Sequence, residues 1–185
     1  MLLETWVVAP TCLPVVRRRC HACASERFRA NGKFRVNAHH KLIDAWLLVL
    51  CTRCGETAKL TVLERTNVRS VRPALLARLH DNDPVLAAEL LQDPALRHRN
   101  HIALDWTDAW RLDTGGSDHG TLDREVIDVT VRFAARIPVR PIRLIAQGCG
   151  LTRAEVERLI EKGNLVSATR LTGKQSDDFT FTLKP

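Results

Sequence analysis

Four cysteines at metal-ligand spacing are the residues of this chain best suited to chemistry. They form Cys20-His21-Ala22-Cys23 and Cys51-Thr52-Arg53-Cys54, two C-x-x-C pairs with 27 residues between them. Two such pairs supply four thiolates to one tetrahedral site, the arrangement that suits Zn²⁺. Within a pair, two intervening residues let both sulfurs turn inward on one knuckle, and Gly55 gives the chain freedom to leave the second. Four protein ligands leave no open coordination position, so a zinc here is structural. Two disulfides or unrelated thiols are the competing readings, and the paired spacing favours zinc.

Other reactive residues fall into weaker patterns. His39 and His40 are adjacent, so on a strand they point to opposite faces and converge only in a turn. Asp105, Asp108 and Asp113 surround Trp106 and Trp110 without an obvious partner, and Asp118-His119 lies in a Gly/Ser/Asp-rich stretch. Cys12 and Cys149 read as buried small apolar residues. There is no Gly-rich phosphate loop, nucleophile elbow or H-E-x-x-H. The expectation is a protein that is not an enzyme.

The elements that must position the cysteines read as β. Trp6-Val7-Val8 and Val15 to Arg19 are short β-prone runs, and Asn31-Gly32 between Arg27–Ala30 and Lys33–Val36 predicts a two-residue hairpin turn. The unbroken apolar run Ala45 to Leu50 predicts a central strand covered on both faces and leading into Cys51, and Leu60 to Leu63 a strand leaving the knuckle. Strands delivering two knuckles to one metal make a zinc ribbon. Helices are then expected after Pro73, Asp83-Pro84 and Asp93-Pro94, the last two with a capping acid and an N1 proline. Ile127 to Phe133 alternates as a half-buried strand, and so does the tail Phe179 to Leu183. Between them, a helix from Pro141 and a second from Thr152 meet at Gly148-Cys149-Gly150. Thr152 and Glu155 form a capping box, and Gly163 closes the second helix.

The 185 residues are 45% apolar and 26% charged, as in a soluble globular protein. No apolar run approaches the roughly 20 residues of a membrane span. Glu4 and Pro10 interrupt what could be a signal sequence, so a cytoplasmic protein with reduced thiols is expected. The formal charge is +7, falling to about +5 with a four-thiolate zinc, which favours a polyanionic partner. Residues 1–41 hold eight Lys/Arg against Glu4 and Glu26, an excess around the first knuckle. This is either a solvated face or a phosphate-binding patch.

The stretch Arg140-Pro141-Ile142-Arg143 through Leu151-Thr152-Arg153-Ala154-Glu155 to Ile160-Glu161-Lys162-Gly163-Asn164-Leu165-Val166 resembles the S4-type RNA-binding module. Thr152-Arg153 stands where that family usually has Ser-Arg, and Ile160 to Gly163 matches its closing motif. Val166-Ser167-Ala168 departs from the family's Val-Asn-Gly. The resemblance implies two helices and a β-hairpin. It also implies RNA contacts at Arg140, Arg143 and Arg153, with Arg158 and Lys162 further along the second helix. Leu13 to Arg17, Lys33 to Ala38 and Asp44 to Leu47, with the cysteine pairs, resemble a bacterial family catalogued only as a domain of unknown function, DUF1062.

The expected fold is α+β. Residues 1–70 form a zinc-ribbon-like β domain, 71–113 a helical connector packed on it, 114–122 a linker, and 123–185 an S4-like module with a β-hairpin. The expected function is zinc-stabilised, non-catalytic binding of nucleic acid, with structured RNA favoured over DNA. The metal ligands are Cys20, Cys23, Cys51 and Cys54. One alternative is a DNA-binding regulator using 141–162 as a helix-turn-helix. Another is an interaction module whose ribbon docks a protein partner. No membrane or small-molecule substrate is implied.

Overall fold

A computed structural model describes residues 2–116 and 126–185. In chain order the elements begin with β1 (Leu2–Pro10), β2 (Val15–Arg17), β3 (Arg27–His39), β4 (Leu42–Cys51) and β5 (Thr57–Asn67). Three helices follow, α1 (Pro73–His80), α2 (Pro84–Gln92) and α3 (Pro94–Arg99). Then come β6 (Ala103–Asp105), β7 (Trp110–Asp113), β8 (Ile127–Phe133), α4 (Pro141–Cys149), α5 (Arg153–Glu161), β9 (Leu165–Val166) and β10 (Phe179–Leu183). The protein is α+β. No helix among the described residues is long and apolar enough to cross a membrane. The chain divides into two units: an inserted unit, Leu13–Thr107, and a split unit made of Met1–Cys12 and Asp108–Pro185.

In the inserted unit, an antiparallel sheet of order β5-β4-β3-β2-β6 packs one face against the three helices. β4 alternates strictly: Ile43, Ala45, Leu47, Val49 and Cys51 are buried, and the residues between them are half-buried. Leu79, Leu86, Leu91 and Leu96 of the helices join Ala45, Leu47, Val49, Phe28 and Leu60 in one core. The Ala45 to Leu50 run is therefore covered on one face, not both. All three helices pack on the side of Leu47 and Val49, and Trp46, Leu48 and Leu50 keep partial exposure on the other.

Asn31-Gly32 does not turn the chain. β3 runs through it as a bulge between Ala30 and Phe34, and the β3–β4 reversal sits at His40-Lys41 instead. The left-handed φ of Gly32, +72°, serves the bulge. The Phe34 N–H that the bulge frees donates to Asn82 Oδ1 at 2.7 Å, from the α1–α2 connection. The exposed His39 and His40 thus meet edge-to-face at the hairpin tip, 4.4 Å between ring centres.

Asp83 caps α2 by accepting from the Val85 and Leu86 amides, and Asp93 caps α3 through Ala95, each followed by an N1 proline. α3 also shields the outer edge of the sheet. Asn100 accepts from Thr61 N–H and donates to Thr61 O, while Arg99 donates to Val62 O.

The split unit contains the second sheet, of order β7-β1-β8-β10-β9. β1 pairs in parallel with β8, from Leu2 opposite Ile127 to Val8 opposite Phe133. Parallel neighbours need a long crossover, and here the crossover is the whole inserted unit. Trp6-Val7-Val8, read from sequence as part of the ribbon, belongs to this other sheet. Within 71–113, β6 joins the sheet of the inserted unit and β7 that of the split unit, so the segment is not helical throughout. Residues 117–122 of the expected linker, with Asp118 and His119, lie outside the described residues.

α4 and α5 pack together, and Leu144, Ile145 and Cys149 of α4 and Val156 of α5 are buried. Trp6, fully buried, meets Phe181 edge-to-face at 5.3 Å, and its Nε1–H donates to Glu4 Oε2 at 3.0 Å. Gly148 of α4 lies directly against the Trp6 ring. The capping box forms, Thr152 accepting from the Glu155 amide and Glu155 from the Thr152 amide. Gly163 leaves α5 with φ +75°. β9 and β10 pair, but a long connection separates them in place of a tight hairpin turn. Cys149 is buried, and desolvation pushes its thiol up to about 12. Cys12 is exposed, against expectation.

Candidate metal centre and arginine cluster

The two cysteine pairs sit on the β2–β3 and β4–β5 connections, and the two knuckles repeat one hydrogen-bond pattern. The Cys20 N–H donates to Ser25 O at 2.7 Å and the Ala24 N–H to Cys20 O at 3.1 Å. The same two bonds recur in the second knuckle: Cys51 N–H to Glu56 O at 2.8 Å and Gly55 N–H to Cys51 O at 3.0 Å. The residue after each pair has positive φ, 58° at Ala24 and 75° at Gly55. Thr52 ties the knuckles together, its N–H and Oγ1–H both donating to Arg27 O at 2.9 and 3.1 Å.

This repetition aims four sulfurs at one point. Cys20 Sγ lies 3.7 Å from Cys54 Sγ, Cys23 Sγ lies 3.6 Å from Cys51 Sγ, and all four are within 4.8 Å of one another. The thiols are free, at separations far beyond the roughly 2.0 Å of a disulfide. Sulfurs bound tetrahedrally at about 2.3 Å from an ion sit about 3.8 Å apart, close to the observed spacing. The four cysteines could therefore hold a metal ion, as their spacing in the sequence predicts.

Without a cation the four sulfurs cannot all ionise. The Cys54 N–H, ahead of the other donors, brings Cys51 down to about 6 despite its burial. The Glu56 amide pulls Cys54 down as well, but crowding by Cys23, Cys51 and Cys20 together with desolvation outweighs it and leaves Cys54 at about 12. A divalent ion removes that conflict by screening the thiolates from one another.

The five basic residues singled out in the C-terminal segment fall into two groups. Arg140, the residue before α4, Arg143 in its first turn and Arg153 at the start of α5 line one hollow of about 250 Å³. Ile142, Leu171, Thr172 and Gly173 complete it, and Glu157 is its one acid. None of the three arginines makes an ion pair among the described residues. Arg158 and Lys162 line a different hollow of about 380 Å³ with Glu155, Leu159, Asn164 and the C-terminal Lys184 and Pro185.

Sequence reasoning passed over Lys59 and the alternate spacing of Arg27, Arg29 and Arg35 on β3. Lys59, with Arg18, Arg19 and His21, lines a hollow of about 580 Å³ beside Cys20. Arg27 and Arg29 line another of about 430 Å³ beside Cys51 and Thr52. The signal was basic residues an even number of positions apart on a strand, which places them on one face. Asp105, which seemed to lack a partner, pairs with Arg27 at 3.3 Å. The Thr107 hydroxyl and amide, followed by Arg27, hold its carboxyl below the ordinary range.

A family model described as a protein of unknown function (DUF1062) matches residues 36–171, 136 of the 185 residues. The matched span includes Cys51, Cys54 and the arginine cluster, and it begins after Cys20 and Cys23. No curated protein and no solved structure matches.

Proposed function

The chain belongs to the DUF1062 family of proteins of unknown function, and from its geometry we propose that it is a zinc-stabilised, non-catalytic protein that binds nucleic acid, structured RNA in preference to DNA. The observation that carries this reading is the convergence of Arg140, Arg143 and Arg153 on one hollow. Three guanidinium groups at the starts of two helices, without an ion pair among the described residues, offer phosphate oxygens several charge-assisted hydrogen bonds. Glu157 also lines the hollow and tempers its positive charge.

The resemblance of Arg140–Val166 to the S4-type module agrees with this placement. In that reading α4 and α5 grip the sugar-phosphate backbone, and β9 and β10 complete the module. Formed strands after α5 favour an S4-like reading over a minimal helix-turn-helix, which ends with its second helix. Zn²⁺ at Cys20, Cys23, Cys51 and Cys54 closes the ribbon-like end of the inserted unit, where all four ligand positions are filled by protein. Its role is to hold the two knuckles, and no step of chemistry passes through it.

The test is binding of the zinc-loaded protein to a structured RNA and to duplex DNA of equal length across a salt series. RNA binding at physiological salt that falls at least tenfold in Arg143→Glu/Arg153→Glu, with an unchanged melting temperature, is the expected result. Equal and steeply salt-dependent binding to both nucleic acids would reduce the claim to a generic basic surface. Metal analysis should give about one zinc per chain, and Cys51→Ser should lose it and unfold the inserted unit.

A further inference from the structure

The face of the first sheet that the helices leave open carries residues used by neither the metal centre nor the arginine cluster. β4 presents Trp46, Leu48 and Leu50 to this face, each partly exposed. Strand register sets polar and basic groups beside them. Arg35 lies opposite Trp46 and Arg29 opposite Leu50 on β3. On β5, Thr61 lies opposite Trp46, Lys59 opposite Leu48 and Thr57 opposite Leu50. The Lys59 ammonium sits 5.0 Å from the centre of the Trp46 ring. Arg29, Arg35 and Lys59 are exposed and make no ion pair among the described residues, whereas Arg27 is tied to Asp105. Beyond Leu50, the hollow lined by Val15, Arg27, Arg29 and Thr52 carries the face up to the second knuckle.

We infer that this open face binds a short single-stranded stretch of nucleic acid, with one base stacked on Trp46 and its flanking phosphates on Arg29, Arg35 and Lys59. The inference rests on residues of the inserted unit and stands apart from the arginine cluster of the split unit. Charge complementarity selects the occupant: an aromatic ring with exposed cations on both flanking strands matches a base between two phosphates. Stacking needs a base whose face is free, so paired duplex is excluded from this contact. From Trp46 to Leu50 the strand spans about 13 Å, and the two flanking strands add about 5 Å on each side. That is room for two or three nucleotides.

A protein partner fits less well. A stable protein interface takes about 800 Å² per partner with a substantial apolar centre, and here three apolar residues are bordered by Arg29, Arg35 and Lys59. Strand addition at the β5 edge is blocked, because Asn100 and Arg99 already occupy its Thr61 and Val62 backbone groups. Lys59 covers the ring until a base arrives, and it is then free to follow the phosphate.

Fluorescence anisotropy of a labelled short oligouridylate against the zinc-loaded full chain tests the assignment. Trp46→Ala should weaken binding at least about fivefold, the lower end for loss of one base stack, while Trp46→Phe retains most of it. Arg29→Gln/Arg35→Gln should lower the slope of log affinity against log salt by roughly 1.4, two phosphate contacts on a single strand. The Trp46→Ala effect relative to the Arg143→Glu/Arg153→Glu effect should be larger on oligouridylate than on structured RNA, which separates this face from the other site. Binding that ignores Trp46→Ala while the variant keeps the wild-type melting temperature would overturn the inference. So would a polyglutamate peptide that binds as tightly and competes fully, since that would make the face a docking surface for acidic protein.

Discussion

Gly148→Ala tests how the split unit is closed. A Cβ built on Gly148 would overlap Cη2 and Cζ3 of Trp6 and reach Cε3 at 3.0 Å. Ordinary carbon contacts are about 3.5–4.0 Å, so the ring or α4 would have to withdraw by roughly 1 Å. Neither moves easily. Trp6 is fully buried, packed edge-to-face on Phe181 and held by its hydrogen bond to Glu4. Overpacking of this kind costs about 1–3 kcal/mol. The better helix propensity of alanine returns at most about 1 kcal/mol, and less so near a helix end. The net loss is then about 1–2 kcal/mol, which for a unit of this size lowers the melting temperature by roughly 5–15 °C. Thermal melts of the wild type, Gly148→Ala, Trp6→Leu and the double variant form a cycle. With the ring removed, Gly148→Ala should be neutral or stabilising, giving a coupling of about 1–2 kcal/mol. An equal cost in both backgrounds would refute the argument, because the penalty would then come from the helix and not from the close approach of α4 to β1.

The repeated knuckle geometry gives a second pair of expectations. Ala24 and Gly55 occupy equivalent left-handed positions, so Ala24→Gly should stabilise the zinc-loaded inserted unit, and Gly55→Ala should destabilise it, by about 1 kcal/mol each in denaturant melts. Changes of the same sign would break the equivalence. A pH series addresses the α1–α2 corner. The Arg78 guanidinium, then the Val85 and Leu86 amides, hold the Asp83 carboxyl below its ordinary value against its desolvation. Its contribution is therefore present above about pH 4 and is lost as pH falls through the lower folded value. Asp83→Asn keeps a capping side chain without the charge. The urea midpoints of wild type and variant should differ at neutral pH and converge in acid. A constant gap across the range would rule the charge out.

What the sequence made legible was local. The cysteine pairs announce their site because two residues of spacing leave few ways to place two sulfurs. Asp83-Pro84, Asp93-Pro94 and Thr152 with Glu155 mark helix starts through bonds that span two or three residues. Asn31-Gly32 misled because the positive φ that suits a hairpin turn also suits a bulge. Asn82, far along the chain, supplies the acceptor that makes the bulge tolerable. The apolar run of β4 could not reveal that one of its faces is open, since coverage depends on where three later helices settle. Trp46 was hidden for the same reason. The meeting of Arg140, Arg143 and Arg153 was legible only through family resemblance, and their separation from Arg158 and Lys162 required the fold.

The parallel pairing of β1 with β8 sets a timetable for synthesis. Trp6 and Val8 leave the ribosome early, yet their partners Val131 and Phe133 are made more than a hundred residues later. At about 5–20 residues per second that is a delay of roughly 6–25 seconds. Meanwhile the inserted unit has every strand and helix it needs and can close around its four cysteines. For that interval β1 lacks β8, the strand that pairs along most of its length, and is exposed to other nascent chains. If the four cysteines hold zinc as proposed, a metal supply that slows closure of the inserted unit would leave two sticky segments at once, and zinc starvation should show first as aggregation of newly made protein, while chains already folded persist.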